Sequence, residues 1–362
     1  MNHAWKRLRA EGVDVWIDVT ATAENAAREI RRALAEGEVA GARMGTAHDD
    51  PAGGHVTADG IRRACDQLLP HHRASGGTKG LVSVPLPTAP PDATDAETDS
   101  DTDSGVWAAR ARALRDEIDR PNLVVRLPEE AADTATLRSL LALDVAVEVS
   151  GVCSPRRYGQ VATALLSALS ARTALEGSAR AASFLSFDVT GVERHVDARL
   201  DLIGSDEAKA LRGRAGVACA RLAHRTHEMT FSSARWGALA AAGTPEPKLL
   251  WVTGGASPYR AAHYVQELVT RGTATAMRPA AAHALAEAGT VSGDRVWRHY
   301  ADAERTLAYL NWFGISMETV AAGTHGSPRT LAAATAPRAD KPHPPVRPHR
   351  AAHQAHRRLT PA

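Results

Sequence analysis

Asn122-Leu-Val-Val-Arg126-Leu-Pro128 is the stretch from which the rest of this chain can be read. Its apolar, β-branched residues form a short buried strand, and the proline stops it. The middle residue is a cation. A charge inside an apolar run is costly unless paired, which places Arg126 where a strand ends in a polar site.

Working outward, the same grammar repeats. Upstream, Trp107–Ile118 reads as a helix and Leu81-Val-Ser-Val-Pro-Leu86 as a strand that ends near Pro85. Before these come a helix over Thr57–Leu69 with Thr57 as N-cap, a weak strand over Val39–Met44, a helix over Ala23–Glu36, and an alternating strand over Val13–Asp18. Downstream, Leu137–Leu143 is helical, Val145–Ser150 is a strand carrying Glu148, Arg156–Leu175 a long helix, and Ala181–Phe187 a strand. Val192–Ala241 shows long helical periodicity with one break near Gly204-Ser205. Leu249–Thr253 and Thr273–Met277 are the last strands, with a short helix including Tyr264–Leu268 between them and helices at Ala280–Ala288 and Asp294–Phe313 after them. Strand and helix thus alternate about eight times, which predicts an α/β chain closed as a (β/α)8 TIM barrel with extra helices. A doubly wound open sheet shares the pattern, but no Gly-rich fingerprint follows the first strand.

Two segments stand apart. Residues 87–105 are Pro-rich and then Asp/Thr/Ser-rich, the composition of a solvated loop, with no EF-hand spacing. Residues 324–362 turn rich in His, Pro and Arg and read as a disordered tail, leaving 1–323 for the barrel. The net charge of +2 on 362 residues gives no general attraction to nucleic acid. No run is apolar enough to span a bilayer, the start lacks a signal-peptide core, and three scattered cysteines make neither a disulfide framework nor a metal site. A cytoplasmic protein without metal or membrane contact is the expectation. Composition leaves its oligomeric state open.

The chain resembles the transaldolases, in their bacterial form with an extended middle region. Leu8-Arg-Ala-Glu-Gly-Val13 with Trp16-Ile-Asp18 resembles the family's opening strand, and Ala64-Cys-Asp66 with Gly76-Gly77 and Val82-Ser83 its approach to the third. Asp119-Arg-Pro-Asn-Leu123 resembles the entry to the fourth. Ala182-Ser183-Phe184, Val196-Asp197-Ala-Arg199-Leu-Asp201 and Ala220-Arg221-Leu-Ala223 follow the later segments. The resemblance implies a class I aldolase-like barrel, no cofactor, and a transferase of the pentose phosphate pathway moving a dihydroxyacetone unit between sugar phosphates.

Carried over residue by residue, the resemblance makes Asp18 the proton-transfer group, Ser150 the hydroxyl of a family threonine, and Ser183 a sugar contact. It puts Arg126 at the position of the Schiff-base lysine. Arginine keeps its proton and is a poor nucleophile, so it cannot take over imine formation. The family's second-strand asparagine has no counterpart in Val39-Ala-Gly-Ala-Arg43-Met-Gly-Thr46, and Pro85 stands for the glutamate that holds the catalytic water. Glu148 stands for an asparagine and Asp188 for the phosphate-gripping arginine. Arg260 lies just beyond the place of another basic residue. Among the five lysines, Lys79 and Lys248 precede their strands, Lys6 and Lys209 lie in helical segments, and Lys341 is in the tail.

Arg126 therefore has two readings: an anion ligand in the pocket, or an internal partner of Glu148 or Glu129. The expected site is Asp18, Arg126 and Ser150 for chemistry, with Ser183, Glu148 and Arg260 for ligand. It points to a protein that has lost aldol transfer and binds a small sugar, a phosphorylated ligand or another partner. A repurposed enzyme without an imine and an active transaldolase are the alternatives. Cys153 reads as a small buried hydrophobe, and His224 and His227 as surface or packing residues.

Overall fold

The computed structural model describes residues 3–19, 23–45, 57–87, 104–176, 181–288, 291 and 293–324. The tail at 325–362 and residues 88–103 of the acidic segment lie outside them. In chain order the elements begin with α1 (His3–Ala10), β1 (Asp14–Val19), α2 (Ala23–Glu36), β2 (Gly41–Met44), α3 (Ala58–Ala74) and β3 (Leu81–Pro85). The middle of the chain forms α4 (Ser104–Ile118), β4 (Leu123–Pro128), α5 (Thr134–Leu141), β5 (Ala146–Val152), α6 (Pro155–Glu176) and β6 (Ser183–Asp188). There follow α7 (Val189–Ile203), α8 (Asp206–Lys209), α9 (Ala215–Phe231), α10 (Ala234–Ala241) and β7 (Lys248–Val252). The last are α11 (Pro258–Glu267), β8 (Ala274–Met277), α12 (Pro279–Ala288), α13 (Tyr300–Trp312) and α14 (Met317–Thr324).

The eight strands pair in sequence order, all parallel, and β8 closes onto β1. The chain is a (β/α)8 barrel, not an open sheet. Strand periodicity sets its layers, because successive side chains face opposite sides. Val125, Leu127, Val147, Val149, Leu185 and Phe187 face outward and join Leu137, Leu140, Tyr158 and Leu165 of the covering helices in one apolar cluster. Each large side chain so buried contributes roughly 1.5–3 kcal/mol, as an upper estimate. Facing inward, Trp16, Leu81, Val124, Phe184, Leu250 and Ala274 fill the lower lumen. Trp16 meets Phe184 edge to face with ring centroids 5.0 Å apart. Gly41 makes this possible, since a Cβ there would lie 2.6 Å from the Trp16 ring.

Several boundaries follow from identifiable residues. Thr57 caps α3 by accepting from the Gly60 amide at 3.2 Å. Pro85 is the last residue of β3. The long helical stretch expected over Val192–Ala241 is instead four helices. Gly204 ends α7 in the left-handed region with φ 74°, and Ser205 and Ser233 cap α8 and α10 by accepting from the Ala208 and Trp236 amides. The break between α8 and α9 turns at Gly213, φ +76°. Its flanks, Arg212 and Arg214, are good helix formers and disguise it. The short helix that includes Tyr264 is α11, which starts at Pro258, where proline suits a first turn.

Candidate functional site

The polar site lies inside the barrel, one layer above Trp16 and Phe184. Asp18, Arg43, Ser83, Arg126, Glu148 and Ser186 come from six different strands, β1 to β6. Each is two residues beyond a lower-lumen position on its strand, so period-two alternation alone aims all six inward. Register assists: Asp18 lies beside Arg43, and Arg126 beside Glu148.

Glu148 is the hub and is fully buried. One of its oxygens accepts from Arg43 Nε at 2.9 Å and from the Ser186 hydroxyl. The other accepts from the Ser83 hydroxyl and faces Arg126 Nε at 3.5 Å. Arg43 reaches across the lumen from β2, its Nη1 donating to Asp18 Oδ1 at 3.1 Å. Arg126 donates through Nη2 to the Met44 and Ser83 carbonyls at 2.8 and 2.9 Å, and through Nε to Ser83 Oγ at 3.1 Å. Its guanidinium thus ties together β2, β3, β4 and β5 and is 3% exposed. Two cations face two carboxylates, so the layer is neutral by charge count.

The electrostatics follow from these contacts. Burial alone would push Glu148 up, but the charges of Arg43 and Arg126 and the hydroxyls of Ser186 and Ser83 hold it below the ordinary carboxylate range. Burial would likewise favour loss of the Arg43 proton, yet Glu148 and Asp18 hold it more tightly than usual. The interior is an ionised lattice.

Asp18 stands at the upper edge of this layer, with its side chain 17% exposed. It packs against the loop after β7: a Cβ on Gly254 would lie 2.6 Å from Asp18 Oδ2. Ser150, two residues beyond Glu148, is half-buried at the rim, with its hydroxyl 3.5 Å from the Leu127 carbonyl. Glu129, the other candidate partner of Arg126, forms an ion pair with Arg157 at 3.1 Å. Asp188 ends β6 and caps α7, accepting from the Gly191 amide at 2.9 Å, so a carboxylate of the chain occupies that helix start.

Two expected ligand residues are not brought into the lumen. Ser183 begins β6 with the outward parity of Leu185 and Phe187, and the serine of that strand that reaches Glu148 is Ser186. Arg260 on α11 turns toward α7, donating to Asp197 Oδ2 at 3.0 Å and to the Tyr264 hydroxyl at 2.9 Å. There it enters a second buried acidic group. Glu193 Oε2 accepts from the Gly216 amide at 2.8 Å, while its Oε1 lies 4.0 Å from Arg260. Burial, with Asp197 beside it, pushes Glu193 up to about 7 against the opposing pull of the Gly216 amide and Arg260.

Arg43, Ser83 and Ser186 are site residues that the motif reading did not single out. Arg43 carried the same signal as Arg126, a cation within an apolar strand, and the serines were recoverable by counting two residues from lumen positions. Elsewhere, His227 accepts from or donates to the Tyr158 hydroxyl at 2.8 Å and both are buried, a packing role for that histidine. Lys79 pairs with Glu38 at 2.6 Å, and Lys248, the first residue of β7, pairs with Asp14, the first of β1, at the barrel end opposite the site. Lys6 and Lys209 lie on α1 and α8, and Lys341 lies outside the described residues. Among the described residues no three of His, Cys, Asp and Glu are grouped to hold a metal ion, and no helix is long and apolar enough to cross a membrane.

Known proteins place this architecture. Residues 20–326 match the family model of transaldolase and fructose-6-phosphate aldolase. Transaldolase 1 of Streptomyces avermitilis is 32% identical over 343 residues, covering 87% of this chain and 88% of that protein. The transaldolase of Thermobifida fusca is 38% identical over 268 residues, covering 73% and 70%, and that of Mycolicibacterium smegmatis 35% over 268, also 73% and 70%. With its barrel, its lumen and this extent of likeness, the chain belongs to the transaldolase/fructose-6-phosphate aldolase family.

Proposed function

We propose that this chain is a transaldolase-family protein that has given up Schiff-base aldol transfer and acts as a binding or interaction protein for a small sugar-like ligand at the barrel mouth. The observation that carries the reading is Arg126. An imine needs an amine that can lose its proton near neutral pH, and a guanidinium does not. This guanidinium is also committed to two backbone carbonyls, Ser83 and Glu148. Of the described lysines, none stands in the lumen layer. Pro85 offers no group to hold a water, and Asp188 offers negative charge where a phosphate would call for a cation. At the rim, Asp18 can accept and Ser150 can donate or accept, a pairing suited to sugar hydroxyls.

Borohydride reduction in the presence of fructose 6-phosphate, followed by intact mass measurement, tests the loss of chemistry. No adduct is expected; a stoichiometric adduct on any lysine would restore an active transaldolase, the reading favoured by the names of the relatives at 32–38% identity. A thermal-shift comparison of free sugars with their phosphates tests the ligand class. Stabilisation by the phosphates alone would overturn the proposed rim chemistry.

A further inference from the structure

We propose that Glu148 is a tethered ligand: the upper lumen is a carboxylate-binding site, built from two guanidiniums and two hydroxyls, which the chain fills with its own side chain. The proposal rests on the lumen contacts and stands whether or not the barrel catalyses anything.

The arrangement has the features of a recognition site, not of a casual ion pair. Each oxygen of Glu148 accepts from one serine hydroxyl and faces one arginine Nε, Arg43 as a hydrogen bond at 2.9 Å and Arg126 as an ion pair at 3.5 Å. Four converging groups on four strands, around a planar acceptor with two oxygens, match a carboxylate; a tetrahedral oxyanion would present further oxygens that these donors do not meet. The donors are themselves fixed. Arg126 is held by the Met44 and Ser83 carbonyls, and Arg43 by Asp18. Such a cradle is preorganised and does not need Glu148 to aim every part of it. Charge supplies the second argument. Without Glu148, Arg43 and Arg126 face Asp18 alone, and the buried layer carries one uncompensated positive charge. A small carboxylate entering that space restores neutrality, the hydrogen bonds from Arg43, Ser83 and Ser186, and the ion pair with Arg126.

Side-chain geometry makes the test specific. Glu148→Ala keeps Cβ and removes a CH2–COO unit, whose shape acetate reproduces. Glu148→Gly also removes Cβ, and the missing part then has the shape of propionate. The full chain and both variants are refolded from urea, then melted, in formate, acetate, propionate or chloride at matched ionic strength and pH 7. For Glu148→Ala we expect a saturable rise in Tm of several degrees with acetate, larger than with propionate. For Glu148→Gly the order reverses, and in the unaltered chain no carboxylate exceeds chloride. If a variant fails to fold in chloride, the refolding yield becomes the readout, and recovery by the matching carboxylate supports the site. Equal effects of chloride and carboxylates, an equal carboxylate effect in the unaltered chain, absence of the size reversal, or no folded variant in any anion would each overturn the proposal.

Discussion

Glu148 and Glu193 are both buried carboxylates in the same barrel, 0% and 2% exposed, and they end in opposite electrostatic states. Burial pushes both upward. Glu148 overcomes it because two arginines and two hydroxyls converge on its oxygens. Glu193 does not. It sits one helical turn from Asp197, shares Arg260 with it at 4.0 Å, and has one amide donor in Gly216. Desolvation is thus not what separates them. The ratio of cations to carboxylates is: two to two in the lumen, and in the outer group one principal arginine, its side chain 39% exposed, for two acids.

The comparison is broken most forcefully at Glu148. Glu148→Gln keeps the shape but leaves Arg43 and Arg126 with Asp18 as their remaining carboxylate in the lattice. Removing one partner of a buried pair typically costs about 3–5 kcal/mol. We expect a loss of that order in urea unfolding at pH 7, with the slope of the transition unchanged. A loss below about 1 kcal/mol would mean that water reaches the lattice and screens it.

The two glutamates also set opposite pH dependences. Glu148 is held low when folded, so its contribution is present above the ordinary value of 4.5 and is lost as pH falls through the folded value. Glu193 is raised to about 7, so its contribution is full below 4.5 and is lost as pH rises through about 7. The span corresponds to about 3 kcal/mol. Glu193→Gln imitates the protonated acid, able to accept from Gly216 and to donate toward Asp197. It should flatten the stability profile between pH 5 and 8 and exceed the unaltered chain at pH 8. Parallel profiles for the two proteins would show that Glu193 does not titrate there.

How much of this was legible depended on which periodicity carried it. The barrel was readable because eight short apolar strands alternate with helices, and the lumen charges Arg126 and Glu148 stood out against apolar neighbours. Arg43 carried the same signal, but its strand has four residues and hides beside Gly41 and Gly45. Ser183 was chosen by its neighbours' resemblance to a motif, whereas strand parity selects Ser186. Glu193 and Asp197 were hardest. An i, i+4 acidic pair on a helix with Arg194 and Arg199 nearby reads as a solvated face, and it is the packing of α9 against α7, with the Arg260 side chain reaching over from α11, that covers it. The turn at Gly213 was hidden by the helix-forming residues on either side of it, and the late helix α14 by its own weak helix formers Thr319, Gly323 and Thr324.

The smallest effect should come from Arg260, and it sharpens the comparison most. Its side chain is 39% exposed, so its ion pair with Asp197 is screened, and Arg260→Met should cost about 1 kcal/mol or less at pH 7. The methionine keeps the apolar stem against α7 and removes only the charge. Arg260 is nevertheless the cation that holds Glu193 down, against burial and Asp197. Without it, the folded Glu193 should keep its proton to a higher pH, and the alkaline loss of stability should move upward by a measurable fraction of a pH unit. The Glu148 contribution at acid pH should stay in place, because two other arginines set it. Stability followed from pH 4 to 9 separates these outcomes. A shift confined to the alkaline limb supports two independently balanced carboxylates. A shift of both limbs would show that the lumen and the outer group titrate as one coupled system, and the ratio of neighbouring cations would no longer account for their difference.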